Sequence, residues 1–326
     1  MLGMADLVLA LDFGGTKLAA AVAERGATAW RSVERSLLPR GVDAAMAYAE
    51  MIRLARGVLS GERPAAIGVS FNGPVDPLAG MVRVSFQVPG WEAVPLAECL
   101  TAEFDAPAQI ENDANAAALG EARYGAGRGA ESVLYLTVST GVGGGVVLAG
   151  QLRRGHHGLA GEIGHLCVEP DGPRCACGRR GCLEALASGP AIARHAREAL
   201  VAHTERPSRL RALPDAALDA RAVAEAAAQG DALAWEVLEG AAIALGRGIG
   251  SAANVLDPQR VILGGGVTHA GERYWSVVRS VAQATALAGD TLEIVPAALG
   301  DEAPLWGAVA GSGSAGAGAR GAGGVG

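Results

Sequence analysis

The chain has 326 residues, half of them hydrophobic and 19% charged, with a formal net charge of -7. That length leads us to expect two domains, and the acidic balance argues against a general affinity for nucleic acid. The N-terminal stretch "MLGMADLVLALDFGGTK" has no basic lead and its apolar run is broken by Asp12, so no signal peptide is read there.

In chain order, "LVLALDFGGTKLAAAVAE" predicts a strand, a tight glycine turn and a second strand. "AAMAYAEMIRLARGVLS" has helical spacing, and "AAIGVSFNGPVDP" returns to a strand followed by a Pro/Gly loop. "AQIENDANAAALGEARYG" reads as a short strand ending at Glu111 and a helix opening near Asp113. Residues 132–152 carry no charge and could by length span a bilayer, but "STGVGGG" in their middle predicts strand, glycine turn and strand, a weak repeat of the first segment. After a cysteine-rich segment, residues 189–254 are mostly helical, with an exposed Pro/Arg-rich loop at 204–219. "RVILGGGVT" is a further strand with a glycine turn, "PLWGAVAG" is the last element, and the Gly/Ala/Ser-rich stretch beyond Gly311 is expected to be disordered. Strands alternating with helices place the chain in the α/β class.

Three glycine turns follow apolar strands: Asp12 to Lys17 with Gly14, Gly15 and Thr16; Ser139 to Gly145 with Thr140, Gly141 and Gly143; and Gly264, Gly265 and Gly266. Glycine lets backbone N–H groups face an anion, threonine adds a donor, and an aspartate beside such a turn, here Asp12, can hold Mg²⁺. Each could instead be a plain hairpin turn. No G-x-x-x-x-G-K-[ST] loop is present, nor a G-x-G-x-x-G between strand and helix. Asn112 and Asp113 lie where a strand gives way to a helix, the end of an open α/β sheet at which ligands bind. An aspartate there can take a proton from an attacking hydroxyl, or it can cap the helix.

Four of five cysteines fall in "GHLCVEPDGPRCACGRRGCLEA", residues 164–185. Cys175, Cys177 and Cys182 with His165 make the Cys₃His set of a closed structural zinc site. Inert buried cysteines are the alternative, which the neighbouring Arg174, Arg179 and Arg180 argue against. Glu162 and Glu184 flank the set, and a metal-bound imidazole keeps one N–H to donate. Two acids and a fixed donor suit a polyol such as a sugar.

The segments "LDFGGTK", "ENDANAAALGE", "STGVGGGVVLAGQLRRGHHGLAGEIGH", "CACGRRGCLEALAS" and "VILGGGV" together resemble the ROK family of repressors, open reading frames and sugar kinases, and within it the bacterial glucokinases. The resemblance implies a two-domain, actin-like, hexokinase-type (ribonuclease H-like) α/β fold with an interdomain cleft that takes ATP. It implies a small domain over 1–112 completed by 301–311, a large one over 113–300 with the zinc loop at 165–182, and a tail at 312–326. It implies Asp113 as catalytic base, sugar contacts from Asn112, Glu162, His165 and Glu184, phosphate contacts from the glycine loops, and structural Zn²⁺ on His165, Cys175, Cys177 and Cys182. Two segments depart from the family pattern. "SFQVPGW" has Gln87 where many glucokinases have a sugar-contacting Asn, and "FNGPVD" places Asn72 and Gly73 where small or proline residues are common. The expected activity is transfer of the ATP γ-phosphoryl to the 6-hydroxyl of glucose, with an N-acylhexosamine as the other acceptor class. A cytoplasmic homodimer or homotetramer with no membrane partner is expected. The family's regulators place a helix-turn-helix before the sugar domain, and the few non-basic residues ahead of the first strand do not predict one.

Overall fold

The computed structural model describes residues 6–313, so the expected tail lies outside the described residues from 314 onward. The chain divides into two compact units, residues 6–129, 150–152 and 301–313, and residues 130–149 and 153–300.

In the first unit, β1 (Leu7–Phe13) is buried along its whole length. It pairs antiparallel with β2 (Lys17–Glu24) and parallel with β4 (Ala66–Phe71). A strand covered on both faces needs a continuous apolar run, which "LVLALDF" supplies. β3 (Ser32–Leu37) and β7 (Ala108–Asn112) complete a sheet of order β3-β2-β1-β4-β7. The short pair β5 (Val75–Asp76) and β6 (Met81–Val82) lies in the loop between β4 and α2 (Leu96–Phe104). Helix α1 (Ala44–Leu59) starts at Asp43, whose side chain accepts from Met46 N at 2.9 Å. Phe13, Phe71 and Trp91 meet at 5.2–6.0 Å between ring centroids and anchor that loop on the ends of β1 and β4.

Helix α3 (Asp113–Tyr124) belongs to this unit, so the division falls at 129/130 and not at 112/113. The reason is its packing on α9 (Ala303–Gly311): a Cβ on Gly307 would fall 1.7 Å from Ala116 O, so only glycine lets the two backbones approach this closely. Trp306 of α9 stacks on Trp30 at 3.8 Å, and Trp30 Nε1 donates to Glu302 at 2.9 Å.

The second unit repeats the strand order. β8 (Ser132–Val138) pairs antiparallel with β9 (Val142–Leu148) and parallel with β11 (Arg260–Gly264), which pairs parallel with β12 (Glu293–Pro296). With its edge strand β10 (Gln151–Arg153), of which residues 151–152 are grouped with the first unit, the sheet order is β10-β9-β8-β11-β12. The repeat read in the sequence is therefore an architectural one. Residues 132–152 form the β8–β9 hairpin and β10, and no described helix is long and apolar enough to cross a membrane. The turn after β8 is shorter than expected, since β9 opens at Val142 and takes Gly143 into the strand. The Gly264–Gly266 turn is no hairpin: β11 runs into a single 3₁₀ turn, Gly266–His269. Helices α4 (Leu183–Ala187), α5 (Gly189–Ala202), α6 (Ala220–Ala228), α7 (Ala232–Leu256) and α8 (Glu272–Thr285) complete the unit.

Asp231 ties this unit's longest described helix to the 204–219 loop, which is exposed except at half-buried Arg206 and Ser208 and buried Leu210 and Leu218. Its Oδ1 accepts from Leu233 N and Ala234 N at 3.0 Å each, and its Oδ2 from Ser208 Oγ at 2.7 Å and Arg209 N at 2.6 Å. Burial alone would raise the Asp231 pKa; these four donors outweigh it and hold the carboxyl below its usual range. Asp231→Ala is expected to lower stability by about 2 kcal/mol in urea unfolding at pH 7. A carboxyl with a depressed folded pKa stabilises above its unfolded pKa and loses that as pH falls. The wild-type advantage over Asp231→Asn should therefore shrink on acidification below pH ~4.

Candidate active site

In the first unit, the carboxyl ends of the parallel strands β1, β4 and β7 carry Asp12, Asn72 with Gly73, and Asn112 with Asp113. The helix cap and the acid are separate residues. Asn112 is the N-cap of α3: its Oδ1 accepts from Ala114 N at 3.0 Å and Asn115 N at 3.2 Å. Asp113 is the first helical residue; its Oδ1 also accepts from Ala114 N at 2.9 Å, and its Oδ2 carries no helix amide. Asn72 Nδ2 donates to Asp113 Oδ2 at 2.6 Å, and Asn112 Nδ2 donates to Asp113 Oδ1 at 3.0 Å and to Gly73 O at 3.2 Å. Burial pushes the Asp113 pKa up, against the lowering by Asn72, Ala114 N and Asn112.

Asp12 is 7% exposed and accepts from Ser70 Oγ at 2.7 Å. Burial pushes its pKa up to about 7; Ser70 opposes this and the charge of Asp113 adds to it. A buried acid beside a second acid favours a cation, so Asp12 suits Mg²⁺ as a donor. Gly14, Gly15 and Thr16 form the β1–β2 turn, with Gly14 N donating to Lys17 O at 3.1 Å. Lys17 opens β2, and its Nζ pairs with Asp301 Oδ2 at 2.6 Å. Gln87 sits against Gly15: a Cβ built on Gly15 would lie 1.4 Å from Gln87 Oε1.

In the second unit, His165, Cys175, Cys177 and Cys182 bring their ligand atoms within 4.8 Å of one another. Cys177 Sγ lies 3.6 Å from Cys182 Sγ, and Cys175 Sγ lies 3.8 Å from His165 Nδ1. A tetrahedral metal with bonds near 2.3 Å needs ligand separations of about 3.8 Å, so the four fit one ion. Burial pushes the Cys182 thiol up to about 12 and the Cys175 thiol up as well, whereas a hydrogen bond from the Arg179 backbone draws Cys177 down. A bound cation is what would make all three thiolates at neutral pH. Cys167 is exposed and outside the set, as the sequence reading left it.

With Nδ1 on the cluster side, His165 keeps Nε2 for another partner. Glu162, exposed, precedes the 3₁₀ turn Ile163–His165, and its carbonyl accepts from His165 N at 3.1 Å. Glu184 Oε1 lies 3.8 Å from Cys175 Sγ, and its Oε2 accepts from Val142 N at 3.1 Å, over Gly141. Glu184 thus links the cysteine loop to the first residue of β9, beside Gly141 of the turn expected to face phosphate.

A cavity of about 820 Å³ opens beside that turn, lined by Ser139 and Thr140, by Gly189 and Ala193 of α5, by Ala220, Ala224 and Ala228 of α6, and by Gly266 and Val267 after β11. Its volume lies in the range of small-molecule sites. Of the expected phosphate-loop residues, Thr140 and Gly266 line it and Gly141, Gly143, Gly264 and Gly265 do not; its alanine wall was not expected.

The chain is 38% identical over 275 residues to a glucokinase of Thermotoga maritima, covering 83% of this chain and 86% of that one. It is 34% identical over 278 residues to an N-acetylmannosamine kinase of Haemophilus influenzae, covering 84% and 85%. The crystal structure of a ROK family glucokinase from Streptomyces griseus in complex with glucose and AMPPNP superposes with a TM-score of 0.78 at 33% identity, covering 94% of this chain and 99% of that one. The fold is the actin-like, hexokinase-type α/β fold. The ROK family sequence pattern matches residues 8–311, and the chain belongs to the ROK family.

Proposed function

We propose that this chain is an ATP-dependent hexose kinase, a glucokinase that phosphorylates the 6-hydroxyl of glucose. The observation that carries the mechanism is Asp113, held by Asn72 and Asn112 at the strand ends beside Asp12. Two amide donors fix its oxygens, and burial raises its affinity for a proton. Asp113 accepts the proton of the 6-hydroxyl as that oxygen bonds to the γ-phosphorus and the bond to the β-phosphate oxygen breaks, leaving ADP. Thr140 and Gly266 line the cavity that suits the nucleotide, and its alanine wall suits an apolar base face. Asp12 would hold Mg²⁺, whose charge offsets that of the transferring phosphoryl group. Glu162, His165 Nε2 and Glu184 supply the acceptors and donor that read sugar hydroxyls. His165, Cys175, Cys177 and Cys182 would hold structural zinc, which fixes the loop from which His165 and Glu184 project. Reduced thiols fit the cytoplasm, and the family resemblance carries a homodimer or homotetramer with it. The identity to N-acetylmannosamine kinases supports a second acceptor class on the same base.

ADP release measured against glucose, mannose, fructose, allose, N-acetylglucosamine and N-acetylmannosamine should give the highest kcat/KM with glucose. A maximum on N-acetylmannosamine selects the second reading, and no release with any sugar refutes the kinase. Asp113→Asn should lower kcat by roughly 10²–10⁴-fold while calorimetric glucose binding persists; near-normal turnover would remove the base. Elemental analysis should find about one zinc per chain. Cys177→Ala should lose that metal and bind glucose more weakly, and a metal-free preparation of full activity would contradict the assignment.

A further inference from the structure

Gln87 lies in the loop of residues 72–95, on the segment whose family resemblance assigns it to the sugar. The structure gives its side chain a different neighbour. Ser85 Oγ accepts from Gln87 N at 3.3 Å and from Val88 N at 3.2 Å, which fixes the backbone on either side of the side chain. Val88 and Trp91 are buried at 4% and 3% exposure, and Trp91 stands edge-on to Phe13 and Phe71. The loop is therefore pinned to the ends of β1 and β4. From that position the Gln87 carboxamide lies across the β1–β2 turn. The space a Cβ on Gly15 would fill is taken by Gln87, whose Oε1, Cδ and Cβ lie 1.4, 2.3 and 3.0 Å from it. Asparagine on the same backbone is one C–C bond shorter, about 1.5 Å, and keeps the Cβ contact while drawing its carboxamide back from Gly15.

The turn needs such a brace. Gly14 and Gly15 carry no side chains to restrict them, and Thr16 beside them is exposed. Ordering two glycines when a ligand arrives costs more conformational entropy than ordering any other pair. Gln87, although exposed, already lies against Gly15 and removes part of that cost before binding.

We propose that Gln87 is a positioning residue for the phosphoryl donor: it braces the Gly14–Gly15 turn and does not read the sugar. The inference rests on the kinase reading and on this turn facing the phosphates. It makes the order of the sugar-side loop and of the phosphate turn one property, set by one carboxamide.

The test compares the full-length wild type with Gln87→Ala, Gln87→Asn and Gln87→Glu. Steady-state rates give KM for ATP, KM for glucose and kcat, and calorimetry gives the Kd of AMPPNP and of glucose separately. Ala should weaken ATP and AMPPNP by about 5- to 20-fold and Asn by less, with glucose KM and Kd within twofold of wild type for both. Gln87→Glu, isosteric but anionic, should weaken the donor more than Ala does, with the excess shrinking as salt rises. A rise confined to the glucose constants would return Gln87 to the sugar and overturn the inference, as would variants indistinguishable from wild type. A wild-type chain that releases no ADP on any sugar would instead refute the kinase reading, so the two failures are distinct.

Discussion

Asn112 accepts the first amides of α3, and much of the chemistry follows from that hydrogen bond. A helix must satisfy its leading N–H groups, and an aspartate at that boundary is a natural candidate for the task. Because the preceding asparagine performs it, Asp113 stands one residue inside the helix with its oxygens held by amide donors. Asn112 bonds through both ends of its side chain, its oxygen to the helix and its nitrogen to Asp113 and Gly73. One side chain thereby sets the helix start, the orientation of the acid and the position of the loop after β4.

The two units solve the same local problem alike. Each has an antiparallel pair joined by a glycine turn and extended by parallel strands, and each lays a polar side chain over a turn glycine: Gln87 over Gly15, and Glu184 over Gly141. The lysine of the first turn is paired with Asp301, and the Val142 amide at the end of the second is engaged by Glu184. Both turns are held by the protein's own polar groups, which limits the freedom that their glycines would otherwise have.

What was legible in the sequence is what depends on unusual residue types at fixed spacing. Cys175, Cys177, Cys182 and His165 announce a shared ligand because few other reasons gather thiols among arginines, and the structure brings their ligand atoms together. The end of β1 near Asp12 was equally readable, since a continuous apolar run stops there, whereas β7, "AQIEN", runs one residue past the Glu111 at which that strand was expected to end. The alanine wall of the cavity was not. Ala220, Ala224 and Ala228 recur at helical spacing, and alanine looks the same whether it lines an open cavity or packs in a core. β3 was missed because an edge strand reading "SVERSL" has little apolar alternation to detect. The direction of Gln87 is set by Ser85 and by the aromatic rings beneath the loop, contacts that no spacing encodes.

The seam between α3 and α9 imposes an order on biogenesis. Residues 303–311 follow the whole second unit along the chain, yet they cover the helix that begins with Asp113. During vectorial synthesis the early α/β layer therefore waits, its alanine-lined helix bare, until residues 303–311 have been made. A nascent polypeptide truncated before Ala303 would expose that surface permanently, which marks it as a target for chaperone capture or clearance.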